Sequence, residues 1–464
     1  MAAGVDARLA DAAKHKDSAA IRRLLGERID PNTPQVDGST ALHWTADLDD
    51  LEGARLLMAA GANVKAANRY GVTPLSLACT NGNGSMVELL LKAGADPNTA
   101  LPGGESALMT AARTGSISAV KALLAGGAVV DAKEGRRKQT PLMWAAAEGH
   151  VEVVEALIAA GADFKARLTS GFTPLLFAVR EGQAGVVRAL LKAGAGVNDT
   201  IQPSPAAGRL MGASRAGTSA LLLAAINGHY ELASQLLDAG ADPNHAATGW
   251  TALHAITGVR KPGGGDNNPA PRGSGAMTSL ELVKKLKEKG ADLNARMTRK
   301  INVGLTSLNT MGATAFLLAA RSGDSEMMRF LAELGADPKI PNADGSTPLI
   351  AAAGLGTRSP GEDAGTEPEA IEAVKVALEL GNDIDAVDSN GETAMHGAAY
   401  KNLPGVVLLL AGRGARPAVW NKKNSHGWTP LLIAQGYRFG NFKPSPDTIA
   451  AVQKVMSSAG LSIQ

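Results

Sequence analysis

The chain has 464 residues, more than one compact core ordinarily organises, so it must either divide into domains or grow by another route. Forty-six Lys and Arg against 44 Asp and Glu leave a formal charge of +2, which excludes a strong polyanion-binding field over the whole surface and disfavours nucleic acid as a partner. Hydrophobic residues make up 45% but aromatics only 3%, so the core has to be built from Ala, Leu and Val on closely approaching backbones.

Taken in chain order, the predicted elements come in pairs. A degenerate unit, Ala7 to Asn32, leads. A tetrapeptide of Thr or Ser, then Pro or Ala, then a large apolar residue follows eleven times, starting at Thr40, Thr73, Ser106, Thr140, Thr173, Ser219, Thr251, Thr314, Thr347, Thr393 and Thr429. The successive spacings are 33, 33, 34, 33, 46, 32, 63, 33, 46 and 36, which is a 33-residue unit with insertions. Thr or Ser supplies an N-cap oxygen, and Pro or Ala follows where a missing N–H does no harm. In the copy from Thr140 to Asp163, Leu142, Ala145 and Ala146 make one apolar stripe and Val153, Val154, Leu157 and Ile158 a second. Gly149 breaks the first helix and Gly161 ends the second. A helix pair this short cannot bury its apolar face alone, but stacked neighbours can.

The stretches TALHWTA at Thr40, TPLMWAA at Thr140, TALHAIT at Thr251 and TAMHGAA at Thr393 resemble ankyrin repeats, as do GHVEVV at Gly149, GHYELA at Gly228 and GADPN at Gly94 and Gly240. The resemblance covers nearly the whole chain. It implies an all-α ankyrin-repeat solenoid of antiparallel helix pairs with projecting hairpin fingers and a concave groove, and a protein-interaction role rather than a named substrate. The expected organisation is a capping repeat over 7–36, regular repeats over 37–198, repeats with long insertions over 199–428, and a C-terminal capping repeat over 429–464. The Ala-, Gly- and Arg-rich usage suggests a GC-rich, bacterial gene.

Insertions mark loops that often lie on a binding face, and all the large ones fall after residue 195. Two lengthen fingers, Asp199 to Ala216 and Arg296 to Gly312, with a smaller addition at Ala418 to Asn424. Three separate the helices within a repeat: Gly258 to Ser279, which reads as a flexible loop, Gly354 to Pro368, and Gly436 to Asp447. The two sets are expected to wall the concave surface from opposite ends, leaving a groove with two rims; neutral drift in loop length is the alternative. All five Trp fall where the repeat pattern leaves freedom. Trp44 and Trp144 follow the tetrapeptide on the inner helix, a place shared by Phe177. Trp250 and Trp428 precede the Thr at a finger base, as Phe172 does, and Trp420 lies in an extended finger. These rings, with Arg296, Arg299 and Lys300 of the long finger, are the candidate partner-binding residues; packing of each ring over its neighbouring finger is the competing reading.

Histidine is assigned to structure. His43, His254 and His396 fill the fourth place of the tetrapeptide, His150 and His229 follow the glycine between helices, and His15, His245 and His426 are scattered without metal spacing. No GxxxxGK[ST] or GxSxG occurs, and Asp383 to Gly391 matches a calcium loop only superficially. The one cysteine, Cys79, excludes internal disulfides and sits at a core position. Neither a metal nor a cofactor is called for. No apolar run approaches the roughly 20 residues of a membrane helix, and the chain as given starts without the apolar segment of a signal peptide. It reads as cytoplasmic, or as extracytoplasmic if a leader was removed from the gene. Charge is uneven locally. Lys133, Arg136, Arg137 and Lys138 crowd one finger, Arg296, Arg299 and Lys300 another, and Lys422 and Lys423 a third. Asp47, Asp49, Asp50 and Glu52, and Glu362, Asp363, Glu367 and Glu369, load the opposite end. A basic finger rim would steer an acidic segment of a partner protein, unless the charges are only a solvated face. The reading that follows is a non-enzymatic protein-binding scaffold, with an enzyme site built from the loop insertions, or a structural spacer, as alternatives.

Overall fold

The computed structural model describes residues 6–203, 216–263, 271–301, 306–440 and 443–462. The inserted segments 204–215, 264–270, 302–305 and 441–442 lie outside the described residues, and with them the flexible-loop expectation for the centre of Gly258 to Ser279. Each tetrapeptide starts a helix because its hydroxyl residue ends an extended segment and turns its oxygen onto the first free N–H groups. Thr73 Oγ1 accepts from the Ser76 N–H, Ser219 Oγ from Leu222 and Thr314 Oγ1 from Leu317, each at 3.2 Å. Among the described residues there are 25 helices and no extended strand, only isolated bridges at Ala100–Ser106 and Thr306–Thr357.

The chain divides into two compact units, Met1–Ala216 and Gly217–Gln464. In the first, the pairs are α1 (Arg8–Lys14) with α2 (Ser18–Gly26), α3 (Ala41–Asp47) with α4 (Leu51–Ala59), and α5 (Pro74–Thr80) with α6 (Gly84–Lys92). They continue with α7 (Ala107–Thr114) and α8 (Ile117–Ala125), α9 (Pro141–Glu148) and α10 (Val151–Ala159), and α11 (Pro174–Arg180) and α12 (Ala184–Lys192). First helices pack on first helices, α1 through α11 in series, and form an inner layer; second helices such as α6, α8, α10 and α12 form the outer one. Leu142, Val154 and Leu157 are fully buried between these layers, which stabilises each by roughly 1.5–3 kcal/mol over exposure. Gly149 takes φ +86° to stop α9, a conformation a Cβ would strain.

The second unit repeats the plan. Its pairs are α13 (Ala220–Ile226) with α14 (Tyr230–Asp238), α15 (Ala252–Arg260) with α16 (Ser279–Glu288), and α17 (Ala315–Arg321) with α18 (Ser325–Glu333). Next come α19 (Pro348–Ala352) with α20 (Glu367–Glu379) and α21 (Ala394–Lys401) with α22 (Pro404–Gly412). A one-turn helix α23 (Pro417–Trp420) precedes the last pair, α24 (Pro430–Ala434) and α25 (Pro446–Ser458).

Two devices register one pair on the next. On the fingers, single backbone bonds run between neighbours, from Arg69 N–H to the Asp37 carbonyl at 2.9 Å, and from Ser389 N–H to the Asp344 carbonyl at 2.8 Å. Behind the helices, Asn98 accepts from the Val129 N–H at 2.8 Å and donates to the Gly127 carbonyl at 3.2 Å, and Asn244 holds Asp292 and Gly290 the same way. The tetrapeptide histidines add a third tie. His254 Nδ1 accepts from the Thr251 N–H at 3.2 Å, which leaves Nε2–H to donate to the Ala295 and Ala313 carbonyls of the following finger. His43 reaches Val72 and His396 reaches Lys422 in the same manner. Burial pushes His254 and His396 down to about 4, so both are neutral structural groups at neutral pH. Cys79 is equally inert, its thiol pushed up to about 12 by burial.

Candidate functional site

The inner layer of the first unit carries a series of rings, each with a cation beside it. Trp44 on α3 is half-buried, donates from Nε1 to Gln35 at 2.7 Å, and has the Lys14 ammonium 4.8 Å from its ring centre. Trp144 on α9 is half-buried under the Arg113 guanidinium at 5.4 Å. Its Nε1–H is buried and meets no acceptor among the described residues. Of the candidate partner-binding rings, Phe172 and Phe177 are each only 6% exposed, which is the competing arrangement of rings packed within the stack. Their rings pack on one another at 5.3 Å, and Arg180 closes over both at 5.4 and 5.0 Å. A phenyl ring has no polar edge to keep it at the surface, so the finger base folds down onto the helix.

In the basic finger of this unit, Glu134 organises the turn by accepting the N–H groups of Arg136, Arg137 and Gln139. Burial alone would raise its pKa, but these bonds outweigh it and hold the carboxylate below its ordinary range. Lys133, Arg136, Arg137 and Lys138 stay exposed around it.

In the second unit, Trp250 and Trp428 are half-buried at finger bases, and Arg299 and Lys300 are exposed with no bond among the described residues. Arg296 has a structural task, donating to the Gly312 carbonyl at 3.0 Å and the Pro341 carbonyl at 2.9 Å. Trp420 corrects the expectation of a ring on an extended finger: it ends α23, is 2% exposed, and donates to the Ala415 carbonyl. Arg-Pro at 416–417 starts a helical turn there, and the turn tucks the indole inside.

Among the described residues, the insertions Arg296 to Gly312 and Gly354 to Pro368 meet one another. The long finger crosses to the loop inside the pair α19–α20, where Thr306 bridges Thr357 and the Ser307 N–H donates to the Gly356 carbonyl at 2.8 Å. Gly356 makes the approach possible, with φ +77° and a position where a Cβ would lie 2.6 Å from Leu308 N. The loop after α24 joins them, Gly440 lying directly against the Arg358 backbone. Together they line a half-open cavity of about 170 Å³, with Phe439, His426 and the acidic residues Asp344, Asp388 and Glu392 among its walls.

Electrostatics on the other loops are spent internally. Asp363 forms a buried pair with Arg321 and accepts from Thr357 at 3.1 Å. Glu369 pairs with Lys261, and the Lys261 contact with the Thr366 N–H bond holds it down at about 2. Glu52 pairs with Arg22, and Asp50 caps α4. Asp47, Asp49 and Glu362 stay exposed. Glu392 differs. Its Oε1 accepts from the Tyr400 hydroxyl at 3.0 Å and Asn424 Nδ2 at 2.8 Å, while Oε2 is buried without a partner. Burial pushes this carboxyl up to about 7.

Glu392 and Tyr400 are not among the candidates that the motifs suggest, although the sequence carries a signal for Glu392. Glu392 occupies the place immediately before the tetrapeptide where the neighbouring repeats carry Ser346 and Trp428, and an acid at a buried register position is anomalous. Among the described residues no group of three or more His, Cys, Asp or Glu is placed to hold a metal ion, and no helix is long and apolar enough to cross a membrane.

Models described as ankyrin repeats in three copies match residues 9–100, 108–201 and 275–359. A model of many ankyrin copies matches 378–434, and a single ankyrin repeat matches 216–247. The chain belongs to the ankyrin-repeat family. Similar proteins to this ankyrin chain include the B-cell lymphoma 3 protein homolog of Mus musculus, 32% identical over 138 residues, covering 30% of this chain and 27% of that protein. The Potassium channel SKOR of Arabidopsis thaliana is 41% identical over 73 residues, covering 16% and 9%. The match therefore spans less than a third of the length of these relatives. The human ASB11 ankyrin repeat domain aligns with a TM-score of 0.43 at 26% identity, covering 51% of this chain and 98% of that one. Ankyrin repeats are generally protein-interaction modules, and the fold is typically non-catalytic.

Proposed function

We propose that this ankyrin-repeat protein is a non-enzymatic scaffold that holds an acidic segment of another protein against the inner helices and basic finger of its first unit. The observation that carries this reading is the pairing of half-buried Trp44 and Trp144 with the cations Lys14 and Arg113, where the core requires only Leu, Val and Ala. A rigid indole offers area at small entropy loss, and the adjoining cation selects an acidic residue beside it. The exposed finger residues Lys133, Arg136, Arg137 and Lys138 add steering. Trp250, Trp428, Arg299 and Lys300 extend the same type of surface in the second unit.

The test is a fluorescence titration of the full chain with a library of Asp- and Glu-rich peptides. Binding should weaken as salt rises, and the Trp44→Ala, Trp144→Ala double variant should lose roughly tenfold or more in affinity. Unchanged affinity in that variant would leave only a spacer role. A second reading is favoured by one observation, the raised pKa of Glu392 inside a polar cavity, which is how general bases are tuned. Turnover of ester, amide or phosphoester substrates by the wild type and not by Glu392→Gln would replace the scaffold with an enzyme.

A further inference from the structure

Three repeats carry an arginine seven places after the first residue of the tetrapeptide: Arg113, Arg180 and Arg321. In two of them the arginine meets the residue just before the tetrapeptide. Arg113 reaches Glu105 Oε1 at 3.3 Å, and Arg180 lies 5.4 Å from the Phe172 ring centre. The repeat led by Thr393 keeps the acid, as Glu392, but puts Tyr400 in the place of the cation. Glu392 has thus lost the counter-ion that its register supplies to Glu105. It is 5% exposed, and its Oε2 is unpartnered.

The surroundings do not replace the missing charge. Among the described residues, none lining the cavity is a lysine or arginine, while two further carboxylates line it. Asp388 is occupied, accepting from the Ser346 hydroxyl at 2.8 Å and from the N–H groups of Asn390 and Glu392 at 2.9 Å. Asp344 accepts at Oδ1 from Asn309 at 2.9 Å. Above them Phe439 is half exposed and sits edge-on to His426 at 5.0 Å, with Trp428 5.2 Å away, so the mouth is aromatic.

We propose that this cavity receives an arginine side chain presented by another protein, in the place where the repeat lacks its own. A guanidinium matches the site in charge, in its planar fork of donors and in its capacity to stack on rings, whereas an ammonium matches only the first. Size agrees: a cavity of about 150 Å³ admits benzene, so 170 Å³ admits a guanidinium and its adjoining methylenes. The site lies in the second unit and takes a basic residue, so it stands apart from the acidic-segment reading and goes beyond it.

Calorimetric titration of the full chain with a short glycine-flanked arginine peptide, and with its citrulline, lysine and glutamate counterparts, tests the assignment. The arginine peptide should bind, and citrulline should weaken binding by roughly tenfold or more because it keeps the shape and removes the charge. Glu392→Gln, checked for folding by its urea transition, should weaken it as much. Tyr400→Arg should abolish binding by supplying the cation from within. Absence of arginine-peptide binding, equal affinity for citrulline or lysine, or an unaltered affinity in Glu392→Gln overturns the proposal. A chain that takes acidic peptides but fails here loses only this site, and the converse result leaves this site standing.

Discussion

Single side chains in this protein pull its stability in opposite directions as pH changes. His254 and His396 are neutral in the folded state down to about 4, whereas the unfolded chain protonates near 6.5. Between those values the unfolded state binds more protons, so stability falls as acid is added. Glu392 has the opposite sign. Its folded pKa is about 7 against an ordinary 4.5, so its contribution is full below 4.5 and is lost as pH rises through 7. Glu392→Gln should therefore raise the unfolding free energy read from urea transitions by on the order of 2 kcal/mol at pH 8, and leave it nearly unchanged at pH 4.5. A variant no more stable at pH 8 would contradict the buried, raised carboxyl. His396→Ala should cost about 2–4 kcal/mol at pH 7 because it strands the Thr393 N–H and the Lys422 carbonyl and leaves a cavity; chemical denaturation measures it.

At the scale of elements, helix pairs were legible because their punctuation is chemical: a hydroxyl to cap, a proline that fits the first turn, a glycine able to take positive φ. The loops were legible only as lengths. Ser307, Gly356 and Phe439 meet in space, but nothing in their local sequence fixes the path of the insertions that bring them together. The burial of Phe172, Phe177 and Trp420 was not legible for a related reason, since it depends on neighbouring segments folding over them rather than on their own register. The crossing itself can be tested. Gly356→Val should clash with Leu308, cost about 1–3 kcal/mol, and expose the Ser307 amide to hydrogen exchange while the helix amides of α17 stay protected. Asp363→Ala should be more severe, about 3–5 kcal/mol by urea denaturation, because it removes the carboxylate of a buried ion pair.

For the whole molecule, stability is shared between neighbours. Leu157→Ala empties a fully buried site between pairs and should cost about 2–5 kcal/mol. The loss should register at Trp144 in the same repeat and at Trp44 three repeats away together, as concerted unfolding along the stack, rather than as local melting of α10 alone. Fluorescence-monitored urea unfolding reports it, and a change confined to one repeat would argue against coupling.

The contacts at Thr306–Thr357 and Gly440–Arg358 break the rule that a repeat touches only the next one along, because the second of them skips over the pair α21–α22. A stack without such rivets, pulled from its ends, peels open one hairpin at a time. Here, tension applied at the C-terminus cannot strip the final pair without also freeing the loop of α19–α20. In an optical trap the last three repeats should let go in one large step, while the regular repeats of the first unit yield in a series of smaller ones.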